Sequence, residues 1–151
     1  MADFQDGCPG RRRCVQRGQA VVELALVLPV LLFLSLAVLA VGRVTQAHMA
    51  ARAVVWEAAR AGALASSPAD ASQQGLASGL AVADAYHLQR SDLHLTVDAS
   101  DFRRGGEVRA SVRYAVSLAD LPVLDGSAVS VSSQHAEPVD LFRSGIATGA
   151  R

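Results

Sequence analysis

Glu23 is the one charged residue between positions 19 and 42, and its placement asks for chemistry. A carboxylate at the mouth of an apolar run is costly to bring into hydrocarbon, about 3 kcal/mol at a bilayer centre, unless a cation pairs with it or it stays at the interface. Two readings follow. Glu23 either seeks a cation, or it rests among headgroups where the positive end of a helix dipole stabilises it. Five residues earlier stands Gly18, which closes a leader carrying Arg11, Arg12, Arg13 and Arg17 against Asp3 and Asp6. The other reactive types are scattered. Cys8 and Cys14 are spaced C-x5-C without the second pair a zinc site needs, and read as free, reduced thiols on the cytoplasmic side. His48, His87, His94 and His135 have no HExxH or CxxC company and read as surface or packing residues. There is no G-x-S-x-G and no Gly-rich loop joining a strand to a helix. No enzyme activity, cofactor, metal or small-molecule substrate is expected from this set.

The element that must position Gly18 and Glu23 is an apolar run over residues 20–41, broken only by Glu23 and Ser35. A helix of roughly 20 such residues matches a hydrocarbon core about 30 Å thick. Arginines stay on the cytoplasmic face, so the leader predicts an N-in, C-out topology in a bacterial cell membrane. The Arg triplet has no aromatic or further basic support, and no nucleic-acid partner is expected. A cleavable secretory signal is the rival, with small residues at Ala40 and Gly42, but its apolar region is usually only about 7–15 residues long. The chain has no Lys and no Asn and is rich in Ala, the mark of a GC-rich bacterial genome.

Past Gly42 the pattern stays helical. Val44, Ala47, Ala51, Val54 or Val55, Ala58 and Gly62 recur at three- and four-residue steps, so the helix is expected to leave the membrane and end near Ala65. At about 1.5 Å per residue this makes a rod on the order of 70 Å long. Its stripe of small residues suits close helix–helix approach, and suits equally the chain's own sheet. Ser67, Pro68 and Asp70 then read as N-cap, first turn and capping acid. They predict a second helix over residues 69–89 whose inward face is Leu76, Leu80, Ala83 and His87 or Leu88, weakened by Gly75 and Gly79.

After Ser91 the period becomes two. Leu93, Leu95 and Val97 alternate with polar residues, and turn chemistry follows at Phe102 to Gly106. Val108, Ala110, Val112, Tyr114, Val116 and Leu118 alternate with Arg109, Ser111 and Arg113 to give one dry and one wet face. Pro122 and Asp125-Gly126 mark a loop, Val129 and Val131 suggest a third strand, and Pro138 ends it. The expected class is α+β: a long N-terminal transmembrane helix continuing outside the membrane, a second short helix, then a three-stranded antiparallel β-sheet. Such a sheet needs a helix on its apolar face. The expected organisation is a leader at 1–18, a span at 19–42, an extracytoplasmic domain at 43–143 and a flexible tail at 144–151.

The string from Arg17 to Pro29, R-G-Q-A-V-V-E-L-A-L-V-L-P, resembles the N-terminal signal of type IV pilins and is similar to the TadE/TadG-like family of pilus-assembly pseudopilins. The likeness is dense over residues 17–62, including Arg43 and the run from Glu57 to Gly62. It implies a pilin-like fold and scission of the bond between Gly18 and Gln19 by a membrane prepilin peptidase. It further implies methylation of the new amine, and pairing of Glu23 with the amine of a neighbouring subunit. Gln19 departs from the apolar or aromatic residue common at that place. The implied partners are the prepilin peptidase, other pilin-like subunits, inner-membrane Tad platform proteins and the lipid bilayer. The implied role is a minor pilin-like subunit assisting assembly of a Flp/Tad-type pilus or secretion apparatus. Val44, Ala47, Ala51, Ala58 and Gly62 would supply helix packing. The alternatives are a membrane-anchored scaffold or binding module that is neither processed nor polymerised, and a soluble domain released after Gly42.

Overall fold

The computed structural model describes the backbone of residues 11–119 and 126–140, and side chains from residue 19 onward. Most of the leader, part of the loop containing Pro122 and the tail at 144–151 lie outside the described residues. The described elements run α1 (Arg11–Ala63), α2 (Pro68–Ala85), a short 3-10 turn (Arg90–Asp92), β1 (Leu93–Asp98), β2 (Glu107–Ser117) and β3 (Ala128–Pro138). The chain divides into two compact units, Met1–Leu39 and Ala40–Arg151.

In the first unit α1 passes through Pro29 without leaving the helix. Pro29 has no N–H to donate to the preceding turn, so one carbonyl there loses its usual partner. Two turns on, the Ser35 hydroxyl donates to the Leu31 carbonyl at 2.8 Å, hiding a polar group against the backbone where the surroundings are apolar. Apart from the half-buried Leu36, the large side chains from Val21 to Leu39 are exposed, each at 44% or more, and among the described residues none of this apolar window is buried.

The second unit is a three-stranded antiparallel sheet in the order β1-β2-β3, with helices on one face. β2 is central, and its register pairs Leu93 with Tyr114, Val97 with Ala110, and Tyr114 with Val131. All six alternating apolar residues from Val108 to Leu118 are buried, as the period of two requires. Gly105 closes the β1–β2 connection at φ 75°, and Phe102 in that connection packs with Ala63, Ala71, Val108 and Val139. β3 differs along its length. Val131 is fully buried on the inner face, but the next inner positions are Ser133, His135 and Glu137, half-buried, with His135 Nε2 and Glu137 Oε2 3.1 Å apart.

Residues 40–63 of α1 bury Ala47, Ala50, Ala51, Val54, Val55, Ala58, Ala59 and Ala63. α2 lies against them and over β1. Its start is as read from the sequence: the Asp70 N–H donates to the Ser67 hydroxyl at 3.2 Å, and Pro68 stands at the first turn. Its inner face differs from the expectation. Ala71, Gly75, Gly79 and Ala83 are buried, one per turn, whereas Leu76 and Leu80 lie at the margin and are half-buried. The reason is distance. A Cβ on Gly75 would stand 2.8 Å from the Ala58 carbonyl oxygen, and one on Gly79 would stand 2.6 Å from Leu95 Cδ2 and 3.0 Å from Ala58 Cβ. Helices this close leave no room for leucine between them. α2 also ends at Ala85 rather than near residue 89, because His87 adopts φ 56° and turns the chain out of the helix. His87 is therefore exposed and takes no part in the inner face.

Candidate functional site at the N-terminal helix

Gly18, Gln19 and Glu23 all fall within α1. Gln19 and Glu23 are exposed, and at a separation of four positions they stand about 6 Å apart along the axis, close to one turn. Glu23 faces no ion-pair partner among the described residues. A lone carboxylate in an otherwise apolar and uncovered stretch is stable when it meets water, headgroups or a cation from outside the chain. Of the cysteines, Cys8 lies outside the described residues and Cys14 falls in the opening turns of α1.

The described residues contain one helix long and apolar enough to cross a membrane, Gln19–Ala63, and none of its apolar window is buried in the fold. This fits a membrane-anchored, single-pass protein. Thr45, just beyond the apolar run, again returns its hydroxyl to the backbone, 2.8 Å from the Val41 carbonyl oxygen.

The five residues read as a helix-packing stripe have different surroundings. Ala47, Ala51, Ala58 and Gly62 are buried within the second unit, and Val44 is half-buried. Ala58 meets Gly75 and Gly79 of α2, and a Cβ on Gly62 would stand 2.8 Å from Val108 Cγ1 on β2. Of the two uses open to the stripe, the one visible in the chain is packing on its own fold. The exposed side of the same helix carries Met49, Arg52, Trp56 and Arg60, and the Arg60 guanidinium sits 5.2 Å from the centre of the Trp56 ring. That pair was missed by the sequence reading, although its four-residue spacing is the signal for it.

Ionisable groups of the second unit serve local structure. Hydroxyls of Ser67 and then Ser66 donate to Asp70 and hold its carboxyl below the usual aspartate range. The Arg90 guanidinium does the same for Asp84, and the Ser100 N–H for Asp98. Among the described residues no group of three His, Cys, Asp or Glu is placed to hold a metal ion. His48 and His94 are exposed.

No curated protein and no solved structure matches the chain. A family model does: residues 18–60, from the glycine that closes the leader to the arginine stacked on Trp56, match that of the TadE-like proteins. The chain thus carries a TadE-like segment at its N-terminus, in line with the TadE/TadG-like resemblance of its sequence.

Proposed function

We propose that the protein is a minor pilin-like subunit that assists assembly of a Flp/Tad-type pilus or secretion apparatus, docking through its N-terminal helix. The observation that carries this reading is Glu23: the one charge in residues 19–42, exposed, five residues after Gly18, inside the TadE-like segment. The basic leader holds the N-terminus in the cytoplasm. A prepilin peptidase cuts between Gly18 and Gln19 there, and the new amine of Gln19 becomes a cation at the membrane edge. Glu23 of one subunit then pairs with that amine of the next, which removes the cost of a carboxylate in hydrocarbon. Lateral contact between subunits falls to the uncovered apolar side chains of residues 20–41, since the small-residue stripe beyond them lies largely inside the domain. Inner-membrane Tad platform proteins and other pilin-like subunits are the partners, and the role is structural rather than catalytic.

The test is Glu23→Gln, expressed from the native locus. The expected outcome is normal membrane insertion, loss of co-purification with other pilin-like subunits and at least about a tenfold fall in surface assembly, the scale of a buried charge pair broken on one side. Wild-type assembly in that strain would reject the docking role.

A further inference from the structure

The wet face of the sheet holds a chemistry that the N-terminal helix does not use. Register places His94, Arg113 and Ser132 in one row across the three strands, and Thr96, Ser111 and Gln134 in the next. All six alternate with inner-face positions, so they point away from the helices. Together they line a shallow concavity of about 550 Å³. The set is rich in donors and contains no carboxylate. It offers a guanidinium fork, an imidazole, three hydroxyls and a carboxamide. The hydroxyls of Thr96 and Ser111 already touch at 2.7 Å, which fixes the floor of the concavity.

The charge on this face is unevenly met. Arg109 pairs with Glu107, and Asp98, the other outward acid, stands opposite Arg109 and accepts the Ser100 N–H. Arg113 has no acidic partner among the described residues, and its neighbours across the ladder are an imidazole on one side and a hydroxyl on the other. The Arg113 guanidinium, the His94 imidazole and the Ser132 hydroxyl thus place three potential donors in one row with no carboxylate between them. Opposed side chains on paired strands stand about 5 Å apart, a span that one tetrahedral oxyanion bridges.

We propose that this face binds a phosphate-bearing ligand, with Arg113 as the bidentate anchor and His94 and Ser132 as flanking donors. The concavity is roomier than one phosphate, so Thr96, Ser111 and Gln134 are left to contact the polar group that carries it. The inference is independent of the assembly role and survives its failure.

The experiment uses the full chain, isotope-labelled, in micelles of an uncharged detergent, titrated with inorganic phosphate at constant ionic strength set by chloride. The expected result is saturable shifts of the amides of 94–96, 111–113 and 132–134, half-complete in about the millimolar range. Arg113→Gln should weaken binding by about tenfold or more, and Arg109→Gln by about twofold or less. Should Arg113→Gln disturb the fold, Arg113→Lys keeps the charge without the fork and Ser132→Ala removes a flanking donor, and each should weaken binding by several-fold. A second arm places the chain in phosphocholine nanodiscs with and without phosphatidylglycerol. The same shifts on adding the anionic lipid assign the phosphate to a headgroup, and shifts with soluble phosphate alone assign it to a free ligand. Shifts that do not saturate, or that persist unchanged in Arg113→Gln, overturn the proposal.

Discussion

Two residues with no reactive group decide how the second unit packs. Gly75 and Gly79 lower the helix propensity of α2 by up to about 1 kcal/mol each, and by that measure alone alanine should improve the helix. The close approach to Ala58 reverses the sign at Gly75, where the new methyl would meet a backbone oxygen at 2.8 Å that cannot rotate away. Gly75→Ala is therefore expected to destabilise the fold by about 1–3 kcal/mol despite the propensity gain. Ala77→Gly, on the exposed side of the same helix, should cost about 1 kcal/mol through propensity alone. Chemical denaturation of both variants in micelles, followed by the fluorescence of Trp56, measures the two. An unchanged or raised midpoint for Gly75→Ala would mean that the helices are further apart than described. Glu23 and Gly18 stand out as candidates in the sequence because an acid and a basic leader contrast with an apolar run. The glycine contacts do not, since a small residue reads alike whether it weakens a helix or admits a neighbour.

At the scale of elements, the period of side chains carried most of the information. β2 was readable because its six inner positions are uninterrupted, and the start of α2 because Ser67, Pro68 and Asp70 form a cap whose parts are all local. The second half of β3 was less so. Its inner positions turn polar at Ser133, His135 and Glu137, and its strand geometry comes from the ladder to β2 rather than from its own pattern. The end of α2 escaped because a left-handed turn at His87 carries little sequence signal without a glycine. The cap also carries a pH dependence. Asp70, Asp84 and Asp98 have carboxyls held below the ordinary value of 3.8, so their folded forms bind protons less readily than the unfolded chain. The stability they add is present above that value and is lost as pH falls through their lower folded values. Ser67→Ala removes the N-cap and a hydroxyl from Asp70 together. It should cost about 1 kcal/mol at neutral pH and flatten the acid limb of the stability profile. A thermal melt series from neutral to strongly acid pH checks both, and an unaltered acid limb would remove Ser67 from the account.

At the scale of the whole molecule, the two units invite different experiments. The first carries an exposed apolar helix with a single acid near its start, and the second carries a packed α+β fold whose small-residue helix face is used internally. Assembly in this account belongs to the first unit, and ligand contact to the wet face of the second. The proposed assembly role depends on removal of the leader, the step that would give Glu23 the amine of Gln19 to pair with. The most direct measurement is the N-terminus of the protein taken from the membranes of its native host, by intact mass and terminal sequencing, with and without the prepilin peptidase. The expected result is a chain beginning at Gln19 that reverts to the uncut form when the peptidase is deleted. A chain retaining Met1 or Ala2 in the wild-type host would contradict the proposed assembly role and leave an unprocessed membrane anchor.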